Sequence, residues 1–453
     1  MHSPPVSSVP SASSVVQPFF PLYLLLMSTV IIRPGRNISG SFSLPGDKSI
    51  SHRYAMLAGI AEGTSQLENF STGADCASTL SCLRSLGVEW ERNGTSVVIH
   101  GRGAKLHAPS IPLDCGNSGS TMRMLSGILA GQDFSSELIG DESLSRRPMA
   151  RVITPLQEMG ARISSNDGGR PPLRITGGKL RAINYKMPMA SAQVKSALLF
   201  AGVFADGETR IEEPVRTRDH GELALCAVGA RVICDGTQAR ISGGQKLRGI
   251  EAVIPGDISS AAFFLCAAAL FPGSQLILTG LGLNPTRSYL LDLLVSMGVR
   301  ISVTQLEEKH GELVGNVQVE GAQLRGATIR SPQTEMLIDE IPVLAAIAPY
   351  TTEGIEIRDA RELRVKESDR IAAIATNLRA MGGMLEEYDD GLKIPGRQQL
   401  HGAEIDSFGD HRIAMAFAIA ALRASDETTV NGADAAVISY PGFFEKLDEL
   451  VQR

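Results

Sequence analysis

The sequence predicts an α/β protein made of six repeats of one βαβαββ unit, grouped as two domains of three. Two recurring phrases and their spacing predict it. The first phrase is an apolar helix end closed by glycine: Leu83-Arg-Ser-Leu-Gly87, Leu156-Gln-Glu-Met-Gly160, Leu225-Cys-Ala-Val-Gly229, Leu294-Val-Ser-Met-Gly298 and Leu378-Arg-Ala-Met-Gly382. Glycine just past a helix supplies the left-handed residue that ends it, and strand-forming residues follow each time. The second phrase is a polar corner feeding an apolar, mostly Ala-rich helix. It recurs at Gly46-Asp-Lys-Ser, Gly116-Asn-Ser-Gly-Ser, Met189-Ala-Ser-Ala-Gln, Gly256-Asp-Ile-Ser-Ser, Ile338-Asp-Glu-Ile and Gly409-Asp-His-Arg. The five glycines lie 73, 69, 69 and 84 residues apart, and six corners over residues 27–453 give a period of about 71. A boundary between the two sets of three falls near Gly256.

In order along the chain, residues 1–26 are rich in Ser, Pro and Val and end in Phe19-Phe-Pro-Leu-Tyr-Leu-Leu-Leu26. That run is too short to span a bilayer, and no Lys or Arg precedes it as a signal peptide requires. It reads as a disordered leader or a mis-called start. Met27 opens a strand, Ser-Thr-Val-Ile-Ile-Arg. Gly40–Leu44 reads as a second strand, ended by Pro45 and Gly46, with an apolar helix from Tyr54. The Asp47–Ser51 corner between them offers free N–H groups and the positive end of a helix dipole to an anion, with Lys48, Ser49 and Arg53 adding to both. A plain helix cap at Asp47 or Ser49 beside two solvated bases fits the same residues. Ser96–His100, Glu251–Ile254 and Gln275–Thr279 read as strands, and Ser164–Arg170 and Glu307–Glu312 as hairpin loops.

A chain of 453 residues with 43% hydrophobic and 20% charged residues can bury a large core. A net charge of −6 argues against general nucleic-acid binding, so an anionic ligand must be met by locally clustered bases. The six cysteines form no CxxC pair and read as reduced core thiols.

Further bases gather on the same kind of corner. Gly116–Arg123 is a glycine-rich turn with Arg123 one turn into the helix, and it is neither a GxGxxG nor a Walker pattern. Arg146-Arg147-Pro148 opens a helix with proline in its first turn, and Ser191-Ala192-Gln193 begins the third Ala-rich helix. Arg361–Arg370 packs four bases and three acids into ten residues; taken alone it is a solvated charged loop capped by Ser368. His411 and Arg412 enter an apolar helix. Asp339 and Glu340 stand in a dense apolar background, where a carboxylate is either a helix cap or a group with a tuned pKa.

Four of these stretches, Pro45–Arg53, Gly116–Arg123, Leu363–Arg370 and Gly409–Met415, resemble in order the signatures of the 5-enolpyruvylshikimate-3-phosphate synthase family. The resemblance covers residues 27 to about 450. It implies a two-lobed inside-out α/β barrel, with residues 48–256 as one lobe (the shikimate 3-phosphate side) and residues 27–47 plus 257–453 as the other. It also implies transfer of the enolpyruvyl group of phosphoenolpyruvate to the 5-hydroxyl of shikimate 3-phosphate, without metal or organic cofactor, by a cytoplasmic monomer with no nucleic-acid or membrane partner.

Carried over by motif, Lys48 would meet phosphoenolpyruvate, with Gly119, Arg123, Arg147 and Gln193 around its phosphate and Arg370 and Arg412 on its carboxylate. Lys48, Ser49, Arg53, Ser191, Ala192, Gln193, Thr217, Asp339 and Lys366 would hold shikimate 3-phosphate. Asp339 matches the carboxylate that accepts the 5-hydroxyl proton and Glu367 the acid that protonates the methylene carbon, with Lys48 and Lys366 beside them. Gly119 matches the residue whose enlargement to alanine blocks the inhibitor glyphosate in the family. Ala192, Glu362, His220 and Ser439 depart from its best-known pattern. Two alternatives remain at this point: the sister transferase acting on UDP-N-acetylglucosamine, which would carry a reactive cysteine in a Gly-Gly-Cys loop, and a non-catalytic anion-binding relative.

Overall fold

In the computed structural model, which describes residues 28–453, the five leucine–glycine phrases close their helices in one way. The glycines 87, 160, 229, 298 and 382 all have positive φ, from +80° to +113°. In each, the N–H of the residue after glycine donates to the carbonyl of the phrase's leucine, as in Val88 to Leu83 at 3.0 Å and Gly383 to Leu378 at 2.8 Å. Each leucine is fully buried. This pairing satisfies carbonyls that a helix end leaves orphaned and aims the chain back as a strand. The sixth helix of this kind, Phe443–Leu450, runs straight into Val451–Gln452 and uses no glycine.

Each unit contributes one main sheet, and the third adds a two-stranded parallel pair, Leu180–Arg181 with Ala205–Asp206. In the second unit the order is Leu113–Asp114, Ser135–Ile139, Arg170–Thr176, Arg162–Asn166; the first pair is parallel and the others antiparallel. The same order recurs in the third and fifth units. A parallel pair needs a crossover, and the corner helix supplies it. Those helices lie at the centre: all twelve residues of Ile258–Ala269 and all eleven of His411–Ala421 are buried. Helices inside and sheets outside make the barrel inside-out.

Three units borrow a strand. Glu251–Val253 runs parallel beside Glu62–Glu68 in the first unit, and Asn37–Ser43 runs parallel beside Gln275–Gly282 in the fourth. Thr29–Ile32 completes the sixth by pairing with Thr428–Asn431. The buried apolar residues accordingly form two clusters, one from Ile50 to Ile254 and one joining Ile32, Ile38 and Leu44 to residues 258–451.

The chain passes from one apolar cluster to the other at Pro45-Gly46-Asp47 and back at Pro255-Gly256-Asp257. The two passages lie antiparallel. Asp47 N–H donates to the Pro255 carbonyl at 2.8 Å and Asp257 N–H to the Pro45 carbonyl at 3.0 Å. The Asn69 amide reaches the carbonyl of Ile254 at 3.0 Å and that of Leu44 at 3.4 Å.

Several local expectations are corrected. The first corner helix spans Lys48–Gly59, so it starts at Lys48 rather than Tyr54; Ser51, His52 and Arg53 are polar yet buried, and hydropathy alone hides their turn. The strand before it is Asn37–Ser43. The hairpin turns narrow to residues 167–169 and 310–311. Pro148 precedes Met149, the cap position of Ala150–Glu158, and lies outside that helix. Asp369, not Ser368, caps Arg370–Ala380. Cys226 and Cys234 are exposed; the other four cysteines are buried. The expectations for residues 1–26 and Met27 fall outside the described residues.

Candidate active site

Five of the six corner helices begin on a Ser or Asp side chain that accepts from their first-turn N–H groups: Asp47, Ser118, Ser191, Asp257 and Asp410. The sixth, Ile341–Ile347, has Glu340 at the cap position. That carboxylate is buried and pairs with Arg287 at 3.1 Å instead of capping.

Four of these N-termini help enclose a cavity of about 350 Å³ between the halves. Thirteen of the fifteen expected site residues line it: Lys48, Ser49, Gly119, Arg123, Arg147, Ser191, Ala192, Gln193 and Thr217 from one side, and Asp339, Lys366, Glu367 and Arg412 from the other. Nine bases against six acids line the cavity, so it is cationic in a chain of net charge −6. Such a wall attracts an anion.

Arg53 and Arg370 are the two that stand behind the wall. Arg53 donates to Ser196 Oγ at 3.0 and 3.1 Å and to the Ser49 carbonyl at 2.8 Å. Arg370 is gripped by Asp410 at 2.8 Å and Glu367 at 2.7 Å, while its Nη1 has no hydrogen-bond partner among the described residues. A buried guanidinium with an unused donor is poised for one more acceptor. The Thr217 hydroxyl donates to Glu213, so its proton is already committed.

Asp339 and Glu367 each have one short ion pair, to Arg218 and to Arg370 respectively, and longer bridges besides. Arg147 Nη1 lies 3.6 Å from Glu367, Arg370 Nη1 3.6 Å from Asp339, and Arg412 Nη2 3.9 Å from Asp339. Burial pushes the Asp339 carboxyl up, but the charges of Arg218, Arg412 and Lys366 outweigh it and hold it well below the usual range. Burial likewise opposes Arg370 and Arg147 at Glu367, and the arginines win there too. Burial pushes the Lys48 ammonium down, but Asp75, 3.0 Å away, together with Glu367 raises it above its usual value. Burial, then Arg151 and Arg147, lowers Arg123 to about 9, which leaves it charged at neutral pH.

The pairs of Arg147 with Glu367, Arg151 with Glu362 and Arg218 with Asp339 tie the halves together, so acid should loosen them. Asp339, Glu362 and Glu367 all have depressed folded pKa values. Their stabilising contribution is therefore complete above the unfolded carboxyl value near 4 and is lost as pH falls through the folded values. Asp47, raised by burial and then by Asp257, works in the opposite direction. Burial holds His52 and His411 well below the usual imidazole range, so the unfolded state takes up their protons first and urea midpoints should already fall between about pH 7 and 5, then fall further below about pH 4; a midpoint that rises on acidification would contradict this balance.

The EPSP synthase family model, described as 3-phosphoshikimate 1-carboxyvinyltransferase, matches residues 32–447. The chain belongs to this family. It is 59% identical to the 3-phosphoshikimate 1-carboxyvinyltransferase of Koribacter versatilis, over 94% of this chain and all of that one. Its identity to the enzyme of that name from Solibacter usitatus is 55%, over 93% and 99%. Among solved structures, the EPSP synthase of Acinetobacter baumannii superposes with a TM-score of 0.83 at 42% identity, over 93% of this chain and 98% of that one. The enolpyruvyl transferase NikO of Streptomyces tendae shares the fold, with a TM-score of 0.76 at 19% identity, over 94% and 98%.

Four residues of this EPSP synthase family member escaped the sequence reading. Arg218 donates to Asp339 across the cavity, Asp75 holds Lys48, Arg151 pairs with Glu362 at 3.2 Å, and Asp410 anchors Arg370. None lies near its partner in sequence except Asp75, 27 residues on. Cys115 is fully buried, and burial and then Cys82 push its thiol well above the ordinary value. It cannot serve as the reactive cysteine of the UDP-sugar alternative.

Proposed function

We propose that this chain transfers the enolpyruvyl group of phosphoenolpyruvate to the 5-hydroxyl of shikimate 3-phosphate, releasing phosphate, as a cytoplasmic monomer. The observation that supports the site assignment is the convergence of Lys48, Arg123, Arg147 and Arg412 on one cavity that also holds Asp339, Lys366 and Glu367, with the unused donor of Arg370 just behind Asp339. No helix among the described residues is long and apolar enough to cross a membrane. The lobes are residues 48–256 and residues 27–47 with 257–453, a division supported by the two separate apolar clusters.

Phosphoenolpyruvate sits with its carboxylate on Arg370 and Arg412, a bidentate task that guanidinium geometry suits. Its phosphate lies among Lys48, Arg123, Arg147, Gln193 and the Gly119 backbone. Shikimate 3-phosphate lies along Ser49, Ser191, Ala192, Gln193 and Thr217, with Arg53 buttressing Ser49 from behind. Asp339, already ionised, takes the 5-hydroxyl proton while the oxygen bonds to C2 of phosphoenolpyruvate, and Lys366 stabilises the charge beside it. Glu367 gives its proton to the methylene carbon. The resulting tetrahedral ketal phosphate then returns that proton to Glu367 as the C–O bond to phosphate breaks. Glu367 must first gain a proton, and the bound substrate provides for this. Its anionic groups occupy the arginines that otherwise hold Glu367 ionised, so the proton affinity of Glu367 rises only in the loaded site.

The test is phosphate release by the purified chain. Release that requires both substrates supports the reading; release driven by a UDP-sugar, or none, overturns it. Gly119→Ala probes the phosphate end. An added Cβ would stand 2.7 Å from Arg123 Nη1 and 3.4 Å from Arg147 Nη1. Arg123 must then give up its 2.7 Å bond to Gln193. Only the tip of a side chain moves, so the melting temperature should stay put while KM for phosphoenolpyruvate rises about tenfold or more. An unchanged KM would place the phosphate elsewhere.

A further inference from the structure

We propose that a second opening, on the far side of the Arg147–Glu367 pair, is a port through which phosphoenolpyruvate enters and phosphate leaves. This proposal rests on the reaction assigned above. A second cavity of about 510 Å³ lies between the 142–148 and 168–170 segments of the first lobe and the 364–369 and 408–409 segments of the second. It shares Arg147, Val365, Lys366 and Glu367 with the substrate cavity, so these four side chains are a common wall.

That wall is thin and polar. Arg147 Nη1 and Glu367 Oε1 stand 3.6 Å apart, and Ser143 Oγ bridges them by accepting from Arg147 at 3.0 Å and donating to the Glu367 carbonyl at 3.1 Å. A pair at that separation exchanges readily for a competing anion on Arg147. Beyond the wall, three bases (Arg146, Arg170 and Arg364) face two acids, Glu142, which pairs with Arg146, and Asp369, which pairs with Arg364. Arg146 is 72% exposed, and Arg170 is exposed with no side-chain partner among the described residues. Bases therefore run from the surface to Arg147, at the end of the substrate cavity assigned to the transferred phosphate. The larger shikimate 3-phosphate, once seated along Ser191 and Thr217, fills the other mouth. A small dianion then has its own route, and phosphate can leave while the sugar-like product stays bound.

Two sets of full-length variants test the port, none in the catalytic machinery. Arg146→Gln with Arg170→Gln removes charge at the mouth. It should lower kcat/KM for phosphoenolpyruvate about fivefold at low ionic strength and flatten its salt dependence, with kcat/KM for shikimate 3-phosphate unchanged. Glu142→Trp adds bulk while removing a negative charge. Through-space electrostatics alone would raise kcat/KM for phosphoenolpyruvate, as Glu142→Gln should; obstruction of a port lowers it. A fall in Glu142→Trp opposite to Glu142→Gln supports the port, even if the double arginine variant fails to fold. Equal effects of the two Glu142 variants, or equal losses for both substrates in the arginine variant, overturn it. Wild-type protein that releases no phosphate from the substrate pair would instead overturn the reaction itself.

Discussion

Asp339→Asn is expected to lower kcat by about 10²–10⁴-fold, the usual worth of a positioned general base, with KM for both anions unchanged or lower. The amide keeps the volume of the carboxylate, and the backbone carbonyl of residue 339 still accepts from Arg412 Nη1 at 2.7 Å. What disappears is the one carboxylate in contact with Arg218, Arg370 and Arg412 together. The cavity becomes more cationic, so anions bind at least as well, while the 5-hydroxyl proton loses the acceptor proposed for it. This split between kcat and KM separates a chemical role from a structural one, which would degrade both. Steady-state phosphate release reads it, and a kcat within about threefold of wild type would remove Asp339 from the chemistry.

Gly46→Ala is expected to cost about 3 kcal/mol or more of folding stability, whereas Gly256→Ala, its counterpart in the neighbouring passage, should cost far less. A Cβ at Gly46 would fall 1.7 Å from the Asn69 carbonyl oxygen and 2.9 Å from its carbon. Both are backbone atoms of the residue whose amide fastens the two passages, so neither can step aside. At Gly256 the nearest atoms are 3.3 Å away, at the Gly280 oxygen and Leu44 Cβ. Urea unfolding of the two variants checks the contrast, and equal losses would show that the passage near Gly46 yields more than its packing allows.

Much of this molecule is legible in its sequence because its signals are local. A leucine four residues before a glycine encodes a complete helix end, and five copies give the repeat count. Ser and Asp before an apolar run mark helix starts, and thirteen of the fifteen residues expected in the site, seven of them inside the four motifs, meet at one cavity. What stayed hidden depends on chain-distant neighbours. Arg218 reads as one more base in Arg216-Thr-Arg-Asp219, yet it meets Asp339, 121 residues away. Arg151 and Glu362 look solvated, and they bridge the halves across 211 residues. The same blindness misplaced the first helix start: Lys48–Arg53 is polar by composition but packed inside, because its charges find Asp75, the Ser49 carbonyl and Ser196 there.

The borrowed strands constrain how the chain is made. As a nascent polypeptide leaves the ribosome, the stretch from Lys48 to Val253 carries every sheet of its lobe and can collapse early. Thr29–Ile32 and Asn37–Ser43 emerge first of the described strands and must wait longest. Their partners, Gln275–Gly282, Thr428–Asn431 and Val451–Gln452, arrive more than two hundred residues later. Vectorial synthesis thus leaves two sticky β-edges unpaired until the far end of the chain is released, the interval in which strand-mediated aggregation or chaperone capture competes with folding.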